Sequence, residues 1–216
     1  MSPTDHQRRP VWPLIHAERA ALAEDLARLT ERQWGTQSLC DRFTVREVLA
    51  HLTAGASLGP ARWMAGALRC RFDFDRMNAM RLAEHMGAAP ADTLAGFRAV
   101  APGTTKPLVP AQAMLGEAIV HAEDIRHPLR IDRDYPISTL TTLADYYQGS
   151  NVPAQTKARI RGLRLAATDG PFTTGSGPLV TGATLPLIMA MAGRVAYFDE
   201  LDGDGASILR ERSGQP

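Results

Sequence analysis

Along the first two thirds of the chain apolar residues recur at steps of three and four, the repeat of helices with one buried face. Leu14, Ala17, Ala21, Leu22, Leu26 and Leu29 make up one such face and predict a first helix over 14–29. Thr44 stands three residues before Glu47, the spacing of a capping box, so a second helix starts there and carries Val45, Val48, Leu49, Leu52 and Ala56 on one side. Pro60 interrupts it before Trp63–Leu68. Further helices are predicted over Phe72–Met86 and Pro90–Val100. Ala101–Pro110 holds three prolines and reads as a loop. Helical spacing returns over Ala113–His127, where Pro128 is expected to stop it, and again over Tyr135–Tyr147.

Near Ser150 the period changes. Leu163, Leu165 and Ala167 alternate with Arg164, Ala166 and Thr168, as in a half-buried strand. Turns at 169–171 and 175–177 lead to a second short strand at Leu179–Val180, which suggests a small antiparallel sheet, and Leu185–Arg194 reads as a helix packed on it. The pattern predicts a mainly helical domain over 1–150 followed by a small α+β domain over 151–216.

Composition narrows the partners. Among 216 residues, 24 Lys and Arg against 23 Asp and Glu give a formal charge of +1 with no long run of one sign, so nucleic acid is not an expected partner. Arg8 and Arg9 precede Pro10 and Trp12 rather than an apolar export segment. The longest apolar stretches, such as Leu185–Ala192, fall short of the roughly 20 residues of a membrane span. A soluble cytoplasmic chain without a membrane partner is expected, and its oligomeric state is not legible. Cys40 and Cys70 are too far apart to be a chelating pair and read as plain buried or half-buried thiols.

One helix carries chemistry. Glu117 and His121, four residues apart, project from nearly the same side, and Asp124 joins them three residues later. His51 sits among Val48, Leu49 and Leu52, where an imidazole needs a partner to offset burial. A bundle can bring these side chains together from facing helices. Two imidazoles and one carboxylate suit zinc, and three protein ligands leave a fourth position open. The plainer alternatives are that Glu117 and His121 are surface or ion-pair residues, and that His51 is a hydrogen-bonded core histidine. The remaining histidines, His6, His16, His85 and His127, read as structural or solvent-facing, His127 as a cap on the last carbonyls of its helix.

The segment LCDRFTVREVLAHL at 39–52 resembles the second helix of the mycothiol-dependent maleylpyruvate isomerase family. EAIVHAEDIRHPL at 117–129 resembles that family's metal helix. GLRLAATDG at 162–170 and GPLVTGATLPLIMAMAGR at 177–194 are similar to its C-terminal domain. The resemblance implies a DinB-like four-helix bundle followed by a sterol-carrier-like α+β domain. It implies His51, Glu117 and His121 as ligands of a divalent metal such as zinc, with mycothiol as cosubstrate. It also puts Asp124 behind the ligands or in the pocket as an acid, and makes Arg126 a partner for a substrate carboxylate or the cosubstrate; pairing with Glu123, or bridging the two domains, is the alternative for Arg126. Arg130 departs from the pattern, since many relatives have Gly there.

The implied function is a metal-dependent thiol transferase or isomerase acting on a small electrophile. Trp63, Met64, Met77 and Met80 are candidates for the pocket wall, or ordinary core residues. Two other classes stay open: a non-catalytic small-molecule binding or regulatory module, and a thiol-independent metal-assisted hydrolase.

Overall fold

The computed structural model describes residues 10–40, 42–152 and 154–213, apart from the side chain of Phe74; His6, Arg8, Arg9 and Asp41 lie outside the described residues. Two compact units divide after Asp132.

In the first unit, α1 (Val11–Leu26) and a short α2 (Glu31–Trp34) precede α3 (Val45–Ser57), α4 (Pro60–Arg69), α5 (Phe74–His85), α6 (Pro90–Val100) and α7 (Ala111–Leu129). The four-helix bundle consists of α1, α3, α6 and α7. Leu22, Leu26, Val48, Leu49, Leu52, Leu94, Phe97, Ala122 and Ile125 meet at its centre. The expected capping box opens α3: Thr44 N and Oγ1 both donate to Glu47 Oε2 at 2.7 Å. A second box, Thr30 N to Gln33 Oε1 at 2.9 Å, starts α2, which periodicity did not predict. His16 Nε2 and Arg19 Nη1 of α1 meet the carbonyl of Gly103 at 3.2 and 3.3 Å, fastening the loop between α6 and α7.

Pro128 does not stop α7, which continues to Leu129 and ends at Arg130 in the left-handed region, φ 55 and ψ 44. A proline removes the N–H that would bond the carbonyl four residues earlier, here that of Asp124. Leu39 N donates to that carbonyl instead, at 3.0 Å. The helix therefore keeps its acceptor satisfied. Glycine enters the left-handed region without cost, which explains why it suits the Arg130 position.

The second unit begins with α8 (Ile137–Gly149), so the boundary lies at 132/133 rather than at 150. The reason is packing: α8 lies against α10 (Thr184–Met191), whose residues Leu187–Met191 are all buried. Between them come α9 (Thr156–Arg159), β1 (Arg164–Ala167), β2 (Thr173–Gly175) and β3 (Leu179–Gly182). The sheet has the order β2-β1-β3 and is mixed, not purely antiparallel: β1 runs antiparallel to β2 and parallel to β3. Gly175 holds the turn after β2 with φ 74, where a Cβ would fall 2.1 Å from the carbonyl oxygen of Leu163. A 3-10 helix (Val195–Glu200) and α11 (Gly205–Ser213) complete a small α+β unit. Among the described residues no helix is long and apolar enough to cross a membrane.

Phe97 has no exposed surface and sits in the bundle core. Phe97→Ala should cost about 3–5 kcal/mol of stability in urea unfolding; a loss under about 1 kcal/mol would mean that the core closes over the gap.

Candidate metal centre

The bundle places α3 against α7, and its packing brings three side chains to one point. His51 comes from the second turn of α3, and Glu117 and His121 from consecutive turns of α7. Glu117 Oε2 lies 3.5 Å from His51 Nε2 and 3.4 Å from His121 Nε2. Ligand atoms of the three residues all fall within 4.8 Å of one another. The imidazoles meet edge to face, with centroids 5.1 Å apart and planes at 79°, and Phe43 stacks on His51 at 6.0 Å. All three side chains are half-buried, at 28%, 24% and 13% exposure for His51, Glu117 and His121, so the cluster keeps an open side.

Asp124 is fully buried and accepts a hydrogen bond from His121 Nδ1 at 2.8 Å. Such a bond fixes the ring's orientation and aims Nε2 at Glu117. Burial alone would drive His121 toward neutrality, but the charge of Glu117 and the bonds to Asp124 and Glu117 outweigh it and hold the imidazole at about 9. Burial works against ionised Glu117 as well, yet the His121 charge and the bonds from His121 and His51 keep its carboxyl below the usual carboxylate range. At neutral pH the metal-free cluster is therefore an imidazolium–carboxylate pair.

Cys40 joins from the segment before α3, with a ligand atom within 4.8 Å of those of His121 and Asp124. Sequence reading took it for an ordinary thiol; its place eleven residues before His51 in the 39–52 segment was the available signal. Hydrogen bonds to its carbonyl from Gln37 Nε2 and Ser38 Oγ, both 3.1 Å, and from Phe43 N, 2.8 Å, hold this segment.

Arg126 is paired inside the fold. Its side chain is completely buried, with Nε and Nη2 at 2.9 and 2.7 Å from Asp25 Oδ2 and Nη1 3.7 Å from Glu123 Oε1. It ties α7 to α1. Of the other histidines, His85 Nε2 lies 3.3 Å from Ser57 Oγ, and burial pulls its pKa down. His127 is exposed at the end of α7. Met77 is buried with the half-buried Trp63 and Met80 packed in its cluster, and Met64 is exposed.

Residues 15–108 match the family model described as the mycothiol maleylpyruvate isomerase N-terminal domain, a span that includes His51 and ends before α7. Two solved structures share the fold. One is a histidine-to-alanine mutant of mycothiol-dependent maleylpyruvate isomerase (TM-score 0.56, 14% identity), the other that isomerase itself (0.55, 15%). Each alignment covers 94% of this chain and 96% of the other. No curated protein matches the chain.

Two outcomes follow from the charges. His121 is raised from 6.5 to about 9 on folding, so its contribution to stability is complete below about 6.5 and is lost as pH rises through 9. Thermal unfolding of the metal-free chain should therefore show a falling midpoint across that interval; a flat profile would mean that His121 is neutral when folded. Arg126→Met should cost about 3 kcal/mol in urea unfolding, because it strands Asp25 and Glu123. Unchanged stability with loss of an anionic ligand would return Arg126 to the role of anchor.

Proposed function

From the match of residues 15–108 to the family model of the mycothiol maleylpyruvate isomerase N-terminal domain, we propose that the chain belongs to that family and is a metal-dependent enzyme that uses mycothiol on a small electrophilic substrate. His51, Glu117 and His121 would hold the divalent metal, with zinc the best fit to two imidazoles and a carboxylate.

The observation that carries this reading is the spacing around Glu117. Separations of 3.4 and 3.5 Å are longer than good hydrogen bonds of about 2.7–3.2 Å. They match the roughly 3.4 Å expected between two ligands of a tetrahedral ion with bonds of about 2.1 Å. The two separations from Glu117 thus suit one ion, and the third pair of ligand atoms lies within 4.8 Å.

Each residue has a distinct task in the proposal. Asp124 takes the Nδ1 proton of His121 in a hydrogen bond, which leaves Nε2 as the donor atom once its own proton departs. Glu117, already ionised, supplies the negative charge. His51 closes the set from α3, so the ligands join two helices of the bundle rather than one. The open side leaves room for the thiol and its substrate. A divalent ion held there supplies a Lewis acid that favours thiolate over thiol at neutral pH. Isomerisation returns the thiol and transfer consumes it, so thiol balance separates the two reactions. Chemistry of this kind belongs in a compartment that keeps thiols reduced, the cytoplasm.

The test combines metal analysis with turnover. The native chain should carry about one divalent ion, His51→Ala and His121→Ala should carry almost none with helicity preserved, and Asp124→Asn should lower metal affinity about 10–100-fold. A maleylpyruvate-like unsaturated acid should turn over only with added thiol. Stoichiometric metal in His121→Ala would sink the ligand set, and turnover without thiol would sink the proposed chemistry while leaving the ligands standing.

A further inference from the structure

The hairpin of α4 and α5 has its own small core, formed by Ala67, Cys70 and Met77 with Trp63 and Met80 packed against them. That core leaves part of the apolar surface of α4 outside. Met64, Leu68 and Phe72, at steps of four, are 41%, 60% and 56% exposed. Of the eight large apolar residues exposed among the described ones, Met64 and Leu68 lie one turn apart on α4 and Phe72 in the turn that follows it.

The backbone contributes to the display of Phe72. Arg71 and Phe72 both have left-handed φ values, 56° and 62°. A bulky residue is rarely found in that region, and two in succession are costly. The turn is closed by Phe72 N to Ala67 O at 2.7 Å and Asp73 N to Cys70 O at 3.0 Å, and the aromatic ring at its tip is more than half exposed.

Charge indicates what would cover this face. Arg69, Arg71 and Arg76 are exposed and pair with no carboxylate among the described residues. The nearby acids are engaged: Asp73 accepts from the amide of Arg76 at 2.9 Å, Asp75 lies 3.5 Å from Arg42, and Glu84 lies 2.9 Å from Arg81 and 3.9 Å from Arg62. Three arginines without a carboxylate partner therefore flank the exposed apolar residues, against the single carboxylate of Asp73, which is held by a backbone amide.

We propose that α4 and the turn after it dock the protein on an anionic membrane surface, with Met64, Leu68 and Phe72 entering the headgroup boundary and Arg69, Arg71 and Arg76 facing the lipid phosphates. Apolar side chains beside arginines are the combination that binds such an interface, where neither the apolar contact nor the charge suffices alone. A second copy of the chain fits less well, because a two-fold contact through this face would oppose the same unpaired arginines. The shortness of the apolar stretches argued against a membrane partner, but docking of this kind needs only a local face and no spanning helix.

The experiment is co-sedimentation of the full chain with vesicles of phosphatidylcholine alone and of phosphatidylcholine mixed with phosphatidylglycerol. Its readout is independent of metal and of turnover. Binding is expected to the anionic vesicles only, weakening as salt rises. Arg69→Glu with Arg71→Glu should reduce it at least about 25-fold, since each arginine near an anionic surface contributes roughly five-fold. Leu68→Gln with Phe72→Asn should reduce it at least about tenfold. Glutamine keeps the helix and asparagine tolerates the left-handed turn, so an unchanged unfolding midpoint would show that both pairs of substitutions leave the fold intact. No binding to anionic vesicles at low salt, or equal binding to neutral ones, would overturn the proposal. So would dimerisation in solution that Leu68→Gln abolishes, which would assign the face to a second copy.

Discussion

Ionised side chains inside an apolar bundle have to be paired with one another, and α7 is organised by that requirement. Toward α3 it presents Glu117, His121 and Asp124, which with His51 form a chain of contacts between acids and imidazoles. Toward α1 it presents Arg126 and Glu123, with Asp25 completing the set. An unpaired charge at either place would be expensive enough to threaten a domain of ordinary stability. The helix register is therefore fixed twice, by polar pairing at the site and by Arg126 on the opposite approach. Apolar residues such as Ile119, Ala122 and Ile125 fill the space between.

How much of this could be read from the residues depends on the range of the forces involved. The capping box at Thr44 and Glu47 is local and was legible, as were the helices with a sustained 3.6-residue repeat. The short α2, α9, the 3-10 helix and α11 were not assigned, because four to nine residues held by neighbouring structure leave little periodic signal. β2 was missed for the same reason: Thr173–Gly175 offers no apolar alternation. The boundary at 132/133 depends on α8 choosing α10, a partner some forty residues further along, and periodicity says that a face is buried without saying against what.

The site divides in the same way. That Glu117, His121 and Asp124 share a face follows from helix geometry alone, whereas the approach of His51 and Cys40 depends on how helices and loops pack. Arg126 illustrates the limit: its position in the sequence suited either a ligand anchor or a pair with Glu123, and the second partner, Asp25, 101 residues earlier, comes only from the fold. Met64 went the other way, apolar in the sequence and exposed in the fold.

The proline near the end of α7 has a consequence beyond its own helix. Because residue 128 has no N–H, the backbone carbonyl of Asp124 stays available to Leu39, and one residue comes to hold two things by separate atoms: the loop before α3 through its main chain, and the His121 ring through its side chain. Any ordinary amino acid at 128 would bring back an amide that competes for that carbonyl. Tolerance to substitution there is thus set less by helix propensity than by the anchorage of a loop nearly ninety residues upstream, and the identity of one imino acid becomes a condition on the shape of the site's rim.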